Sequence, residues 1–265
     1  MTDDSMPRYS RETDVDAREE ETLGKEDIAV IIDGKPYPQI TKNPLDEISL
    51  TSYILGILLG TFLGLAPYLN FKNFNLYIIA LSTFHFLEFY ITARYNPGKV
   101  HSESFLINNG KGYVLAHAFA ILETLLQCFF FPNWKSTFYS AGHLISVVLG
   151  FLLIVLGQFI RSFAMITAGK SFSHIVKTTR NPDHELVTNG IYSWFRHPSY
   201  LGFFWWALGT QLLLLNPLSF ILFAIVLWKF FSSRIQFEER FLVQFFGEEY
   251  VQYQKRVSVW IPFIG

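Results

Sequence analysis

Hydrophobic positions are grouped into five long runs that follow a polar opening of 48 residues. Four runs, roughly 49–69, 74–93, 113–131 and 144–165, are each long enough or nearly so to cross a bilayer as a helix. The fifth, 201–231, is interrupted at Asn216-Pro217. As one helix it would run roughly 46 Å, well beyond a hydrocarbon core of about 30 Å. A proline in its middle has no N–H to donate and predicts a turn. The pattern therefore predicts an all-α, polytopic membrane bundle of about six transmembrane segments, the last two forming a helical hairpin. Each hairpin arm has about 15 residues, roughly 23 Å against a core of about 30 Å, which leaves two readings open: two full crossings, or a dip that returns to the same face.

The hairpin has a chemical consequence. It returns Arg234, Glu238 and Glu239 to the membrane face that holds Arg196, His197 and Tyr200. A polar site at a membrane surface is expected there.

Charge divides the chain in two. The formal net charge of −1 conceals 13 acidic and 6 basic residues in 1–48, against 9 and 15 in the remainder. Residues 1–42 read as an acidic, largely disordered cytosolic tail, with local order expected only around Ile28 to Ile32 before Asp33-Gly34. Residues 43–265 read as the membrane domain, with the chemistry in about 167–265. No cleavable signal peptide is expected, since the first apolar run begins only after position 48. The loops expected at 94–111 and 170–196, and the segment near Lys255 and Arg256, carry most of the basic residues, whereas those near 72 and 135 carry one lysine each. The positive-inside rule places the basic loops, both termini and the polar site in the cytosol.

Gly56, Gly60 and Gly64 share one helical face. They are expected to pack against the second span, with a homodimer through the same stripe as the alternative. Cys128, the only cysteine, reads as packing. His85, Glu88, His117, Glu123, Gln127, His143 and Gln158 lie inside predicted spans and are expected to make interhelical hydrogen bonds. Their spacing does not favour a metal site, and no nucleic-acid partner is expected.

The local motifs are Ser-Phe-Ser-His at 171–174, Arg-His-Pro-Ser-Tyr at 196–200, Phe-Phe-Trp-Trp at 203–206 and the pair Glu238-Glu239. On these the sequence, from about Asn43 onward, resembles the isoprenylcysteine carboxyl methyltransferases of the endoplasmic reticulum membrane, closest to the budding-yeast type. The Arg-His-Pro motif also occurs in membrane phospholipid methyltransferases and, more distantly, in sterol reductases. The resemblance implies methyl transfer from S-adenosyl-L-methionine to the carboxylate of a C-terminal prenylated cysteine during CaaX processing, on Ras-like GTPases and prenylated peptides. Consistent with a cofactor site that is not a Rossmann fold, the sequence shows no strand, Gly-rich turn and helix pattern.

Matched residue by residue, the resemblance assigns the cofactor to His184, Glu185, Leu186 and Val187, to Tyr192, to His197, Pro198, Ser199 and Tyr200, and to Glu238. Lys177 occupies a similar position whose residue type varies in the family. Arg234 is expected to hold the substrate carboxylate, since a guanidinium stays charged and grips carboxylate in fixed geometry. Arg196 is expected to assist it, and Arg234 and Glu238 are the catalytic pair. The 203–206 aromatic cluster is expected either to line a lipid tunnel or to form an interfacial belt. Competing readings are a phospholipid N-methyltransferase, an NADPH-dependent sterol reductase and a non-enzymatic membrane scaffold. The amine of the first would need a general base, which nothing in the cluster demands.

Overall fold

The computed structural model describes residues 30–32, 35–37, 43–68, 72–108, 110–136, 138–180 and 184–264. The expected disorder of the acidic tail lies mostly outside them. Within it, β1 (Val30–Ile32) and β2 (Lys35–Tyr37) pair antiparallel, with Val30 opposite Tyr37 and Ile32 opposite Lys35. A β-branched run followed by an Asp-Gly pair favours this small ribbon, the one departure from an all-helical description among the described residues.

The body is α1 (Leu45–Leu65), α2 (Lys72–Tyr95), α3 (Lys111–Phe130), α4 (Ala141–Ala168), α5 (Pro198–Leu214), α6 (Pro217–Phe246) and α7 (Glu248–Arg256). Five of these, α1 to α4 and α6, are long and apolar enough to cross a membrane. The 17 residues of α5 span roughly 26 Å, and most of them are buried between other helices. Lipid-facing side chains cover the outside, for example Phe129, 80% exposed, and Leu115, 68% exposed.

The hairpin forms at the expected place. Proline opens both α5 and α6, where a missing N–H costs nothing. Asn216 between them is buried and donates to the Ala120 carbonyl at 3.0 Å. Glu123 on α3 accepts from the Leu218 and Ser219 backbone N–H groups at 3.0 and 2.7 Å, capping α6. Lys135, 6% exposed, donates to the Leu214 carbonyl and to Asn216 Oδ1, both at 2.6 Å, so it caps α5 from the opposite side. Burial pulls its pKa down to about 8.

The glycines that bring helices together are not the expected ones. A Cβ at Gly56, Gly60 or Gly64 would meet nothing within 4 Å, so this stripe faces away from α2. The close approach is between α4 and α5. A Cβ on Gly157 would lie 2.6 Å from the Gly202 carbonyl oxygen, and one on Gly202 would lie 2.6 Å from that of Gly157. Gly150 and Gly209 repeat the contact two helical turns away. Backbone against backbone, α4 and α5 form the floor on which the polar site stands.

Candidate active site

A cleft opens where the N-terminus of α5 meets the far half of α6. With 30 residues, roughly 45 Å, α6 runs beyond a membrane core and carries its acidic pair out of the apolar layer. The cleft is lined by His184, Glu185, Leu186, Val187, Tyr192, Arg196, His197, Pro198, Ser199, Tyr200 and Glu238. Ala168, Ser171, Phe172, Ser173, Leu242, Phe246, Tyr250 and Tyr253 complete its wall. Lys177 and Arg234 lie outside the lining.

Local chemistry fixes the lining. Gly190 adopts φ 54°, a left-handed turn that favours glycine, and sends the chain through the 3₁₀ turn Gly190–Ser193. Tyr253 on α7 donates to the Tyr192 carbonyl at 2.6 Å. Burial raises the Tyr192 phenol well above its ordinary value, so it stays protonated. His184 meets the Phe246 ring edge-on, with centroids 5.5 Å apart. Burial, helped by the charges of Lys177, Lys99 and Arg180, lowers its pKa to about 4. Its Nδ1 is buried and has no hydrogen-bond partner among the described residues.

Tyr200 links the two catalytic candidates. Its hydroxyl donates to Glu238 Oε2 at 2.6 Å and accepts from Arg234 Nε at 2.9 Å. Arg234 Nη2 also donates to the His174 carbonyl, and its guanidinium lies 5.4 Å from the Tyr200 ring centre. Among the described residues no carboxylate pairs with Arg234.

Arg196 has different surroundings from those of a substrate-binding cation. It is 8% exposed, and its Nε donates to Glu239 at 2.5 Å. Its Nη1 donates to the carbonyls of Gln254, at 3.2 Å, and Val257, at 2.6 Å. These bonds tie the segment after α7 to the start of α5. Glu239 is the hub, accepting also from His197 Nε2 at 2.9 Å and Gln254 Nε2 at 3.0 Å.

Beneath the cleft lies a buried network that sequence reasoning met only in part. Glu88 on α2, 1% exposed, makes a two-point pair with Arg161 on α4, Nη2 to Oε2 being 2.8 Å. Arg161 also donates to Ser199 Oγ at 3.0 Å. Glu88 was recognisable as an intramembrane acid. Arg161 was not singled out, although an arginine inside an apolar run is the same signal.

A second cavity of about 860 Å³ opens between α3 and α6, lined among others by Tyr113, His117, Phe203, Ala207, Phe223 and Phe230. The 203–206 aromatics divide between this cavity and the core. Phe203 faces the cavity, but Trp206, 1% exposed, is stacked on Phe84 with centroids 4.4 Å apart and belongs to the core.

Comparison with known proteins decides the family. A family model described as isoprenylcysteine carboxyl methyltransferase matches residues 148–244. The protein-S-isoprenylcysteine O-methyltransferase of Saccharomyces cerevisiae is 64% identical over 232 residues, covering 88% of this chain and 97% of that protein. The chain belongs to the isoprenylcysteine carboxyl methyltransferase family. The Schizosaccharomyces pombe protein of the same name is 49% identical, covering 82% of this chain and 95% of its own. The solved structure of a eukaryotic intramembrane Ras methyltransferase superposes with a TM-score of 0.77 at 37% identity, over 82% of this chain and 77% of that one. The matched segment 148–244 contains both glycine contacts, the whole of α5 and the Arg234–Tyr200–Glu238 link.

Proposed function

We propose that this protein esterifies the free α-carboxylate of a C-terminal prenylated cysteine with a methyl group from S-adenosyl-L-methionine. The observation that carries the reading is the spacing of Phe230, Arg234 and Glu238. They stand four residues apart on one face of α6. Phe230 lines the apolar cavity and Glu238 lines the polar cleft. Arg234, which pairs with no carboxylate among the described residues, lies between them, where a molecule with a prenyl chain and a carboxylate would bridge the two compartments.

The cleft residues fit the cofactor. Glu185 and Glu238 offer carboxylates to a cationic molecule, Tyr192, Tyr200 and Phe246 offer aromatic surface, and the unpartnered His184 Nδ1 offers a hydrogen bond. With Leu186, Val187, His197, Pro198 and Ser199 they would hold it, Lys177 contributing from outside the lining. When bound, the cofactor supplies an electrophilic methyl group on a sulfonium. Arg234 orients the attacking carboxylate, which is already ionised near neutral pH and needs no general base. The Tyr200 hydroxyl holds Arg234 and Glu238 in fixed relation. Arg196 enters this reading as an anchor for Glu239 and the C-terminal segment, not as a substrate ligand.

The prenyl chain belongs in the apolar cavity, entered laterally from the bilayer, because each buried CH₂ favours lipid over water by about 0.8 kcal/mol. Substrates of this kind are processed CaaX proteins such as Ras-like GTPases. The family resemblance puts it in the endoplasmic reticulum membrane, and the distribution of basic residues puts the cleft, both termini and the acidic segment 1–42 on the cytosolic side. A homodimer through Gly56, Gly60 and Gly64 rests only on the open face of α1 and forms no part of the proposal.

The test offers purified protein three acceptors: N-acetyl-S-farnesylcysteine, its carboxamide and phosphatidylethanolamine. Labelled methyl should enter the first alone, as a base-labile ester. Transfer to phosphatidylethanolamine would replace this function with lipid N-methylation.

A further inference from the structure

The segment 170–174, whose residues Ser171, Phe172 and Ser173 line the cleft, is held at three points. Lys99 Nζ donates to the Lys170 carbonyl at 2.7 Å, and Asn96 Nδ2 donates to the Phe172 carbonyl at 2.9 Å. The third point is His174, whose Nε2 lies 2.9 Å from Glu88 Oε2. Its backbone carbonyl accepts from Arg234 Nη2.

We propose that His174 is a positioning residue for Arg234. The buried Glu88–Arg161 pair grips its imidazole, and the carbonyl so fixed aims the guanidinium at the substrate carboxylate. The inference rests on the reading of Arg234 as the carboxylate-holding group.

Two directions constrain the guanidinium. Tyr200 takes Nε and the His174 carbonyl takes Nη2, while Nη1 makes no hydrogen bond among the described residues. Two fixed acceptors on a planar cation set its plane, and the remaining edge is the one presented to a ligand. A carbonyl on a loop would do this poorly unless the loop were pinned. The imidazole supplies the pin, since Glu88 is 1% exposed, fully enclosed by protein and already locked by Arg161. Because Arg161 also holds Ser199, one buried ion pair sets both the loop above the site and the start of α5 below it.

The experiment uses full-length protein in nanodiscs and N-acetyl-S-farnesylcysteine. His174→Leu should raise KM for the prenylcysteine by roughly tenfold or more while cofactor affinity stays within about twofold, since a charge-assisted contact is lost at one ligand only. His174→Gln, whose side-chain amide can still reach Glu88, should restore most of the loss. In an Arg234→Lys background, where the fork is gone, His174→Leu should add less than about a twofold further effect. Should His174→Leu fail to fold, His174→Asn with intact cofactor binding serves in its place. An unchanged KM, an equal loss of cofactor affinity, or independent multiplication with Arg234→Lys would overturn the proposal. Wild-type kinetics in Arg234→Lys and Arg234→Ala themselves would instead overturn the reading of Arg234.

Discussion

Tyr200 donates to Glu238 at 2.6 Å across 38 residues of sequence, joining the first turn of α5 to the far half of α6. The same hydroxyl accepts from Arg234. Tyr200→Phe keeps the ring and removes this one atom. The expected outcome is a fall in kcat/KM of roughly 10- to 100-fold with little change in melting temperature, measured by steady-state kinetics beside thermal unfolding.

The glycines of α4 and α5 should be intolerant where those of α1 are not. Gly157→Leu drives a side chain into the Gly202 carbonyl and the Trp206 backbone, so it should abolish folded, monodisperse protein. A Cβ on Gly60 would meet nothing within 4 Å, so Gly60→Leu should leave monomer stability unchanged. Size-exclusion profiles and melting curves of the two variants make the comparison.

Removing one partner of the Glu88–Arg161 pair should cost more than removing both. Glu88→Ala leaves a buried guanidinium without its carboxylate, a loss of about 3–5 kcal/mol in comparable pairs. Glu88→Leu with Arg161→Met should recover much of the stability and none of the activity, because Ser199 and His174 lose their anchors. Denaturant midpoints paired with activity assays separate the two effects.

His184 predicts a pH dependence of stability. Its folded pKa of about 4 lies below the ordinary histidine value, so between pH 6.5 and 4 the unfolded chain binds the proton more readily. Stability from this group is therefore present above pH 6.5 and is lost as the pH falls through that window. His184→Gln should flatten the slope of melting temperature against pH there.

Much of the fold was legible because lipid imposes simple length rules. The break at Asn216-Pro217 was visible as a proline in a run too long for one helix, and the hairpin brought Arg234 and Glu238 to Tyr200 as expected. Pairing partners were less legible, because spacing along a helix shows which residues share a face but not what that face meets. Gly56, Gly60 and Gly64 show a clear repeat yet face outward, while Gly150 with Gly157 and Gly202 with Gly209 each stand seven apart and form the real contact. Arg196 illustrates the same limit at the cleft. Its type suits a carboxylate ligand, but Glu239 and two carbonyls come from segments about 43 to 61 residues away and occupy it first. The tie between His174 and Glu88 spans 86 residues, and no local pattern announces it.

Transfer of labelled methyl from S-adenosyl-L-methionine to N-acetyl-S-farnesylcysteine by wild type, Arg234→Ala and Glu238→Ala, each checked for folding, is the most direct test. The account predicts base-labile ester with wild type and its collapse in both variants, with prenylcysteine binding weakened in Arg234→Ala and cofactor binding weakened in Glu238→Ala. Ester formed at wild-type rates by either variant, or no ester from well-folded wild type, would contradict it.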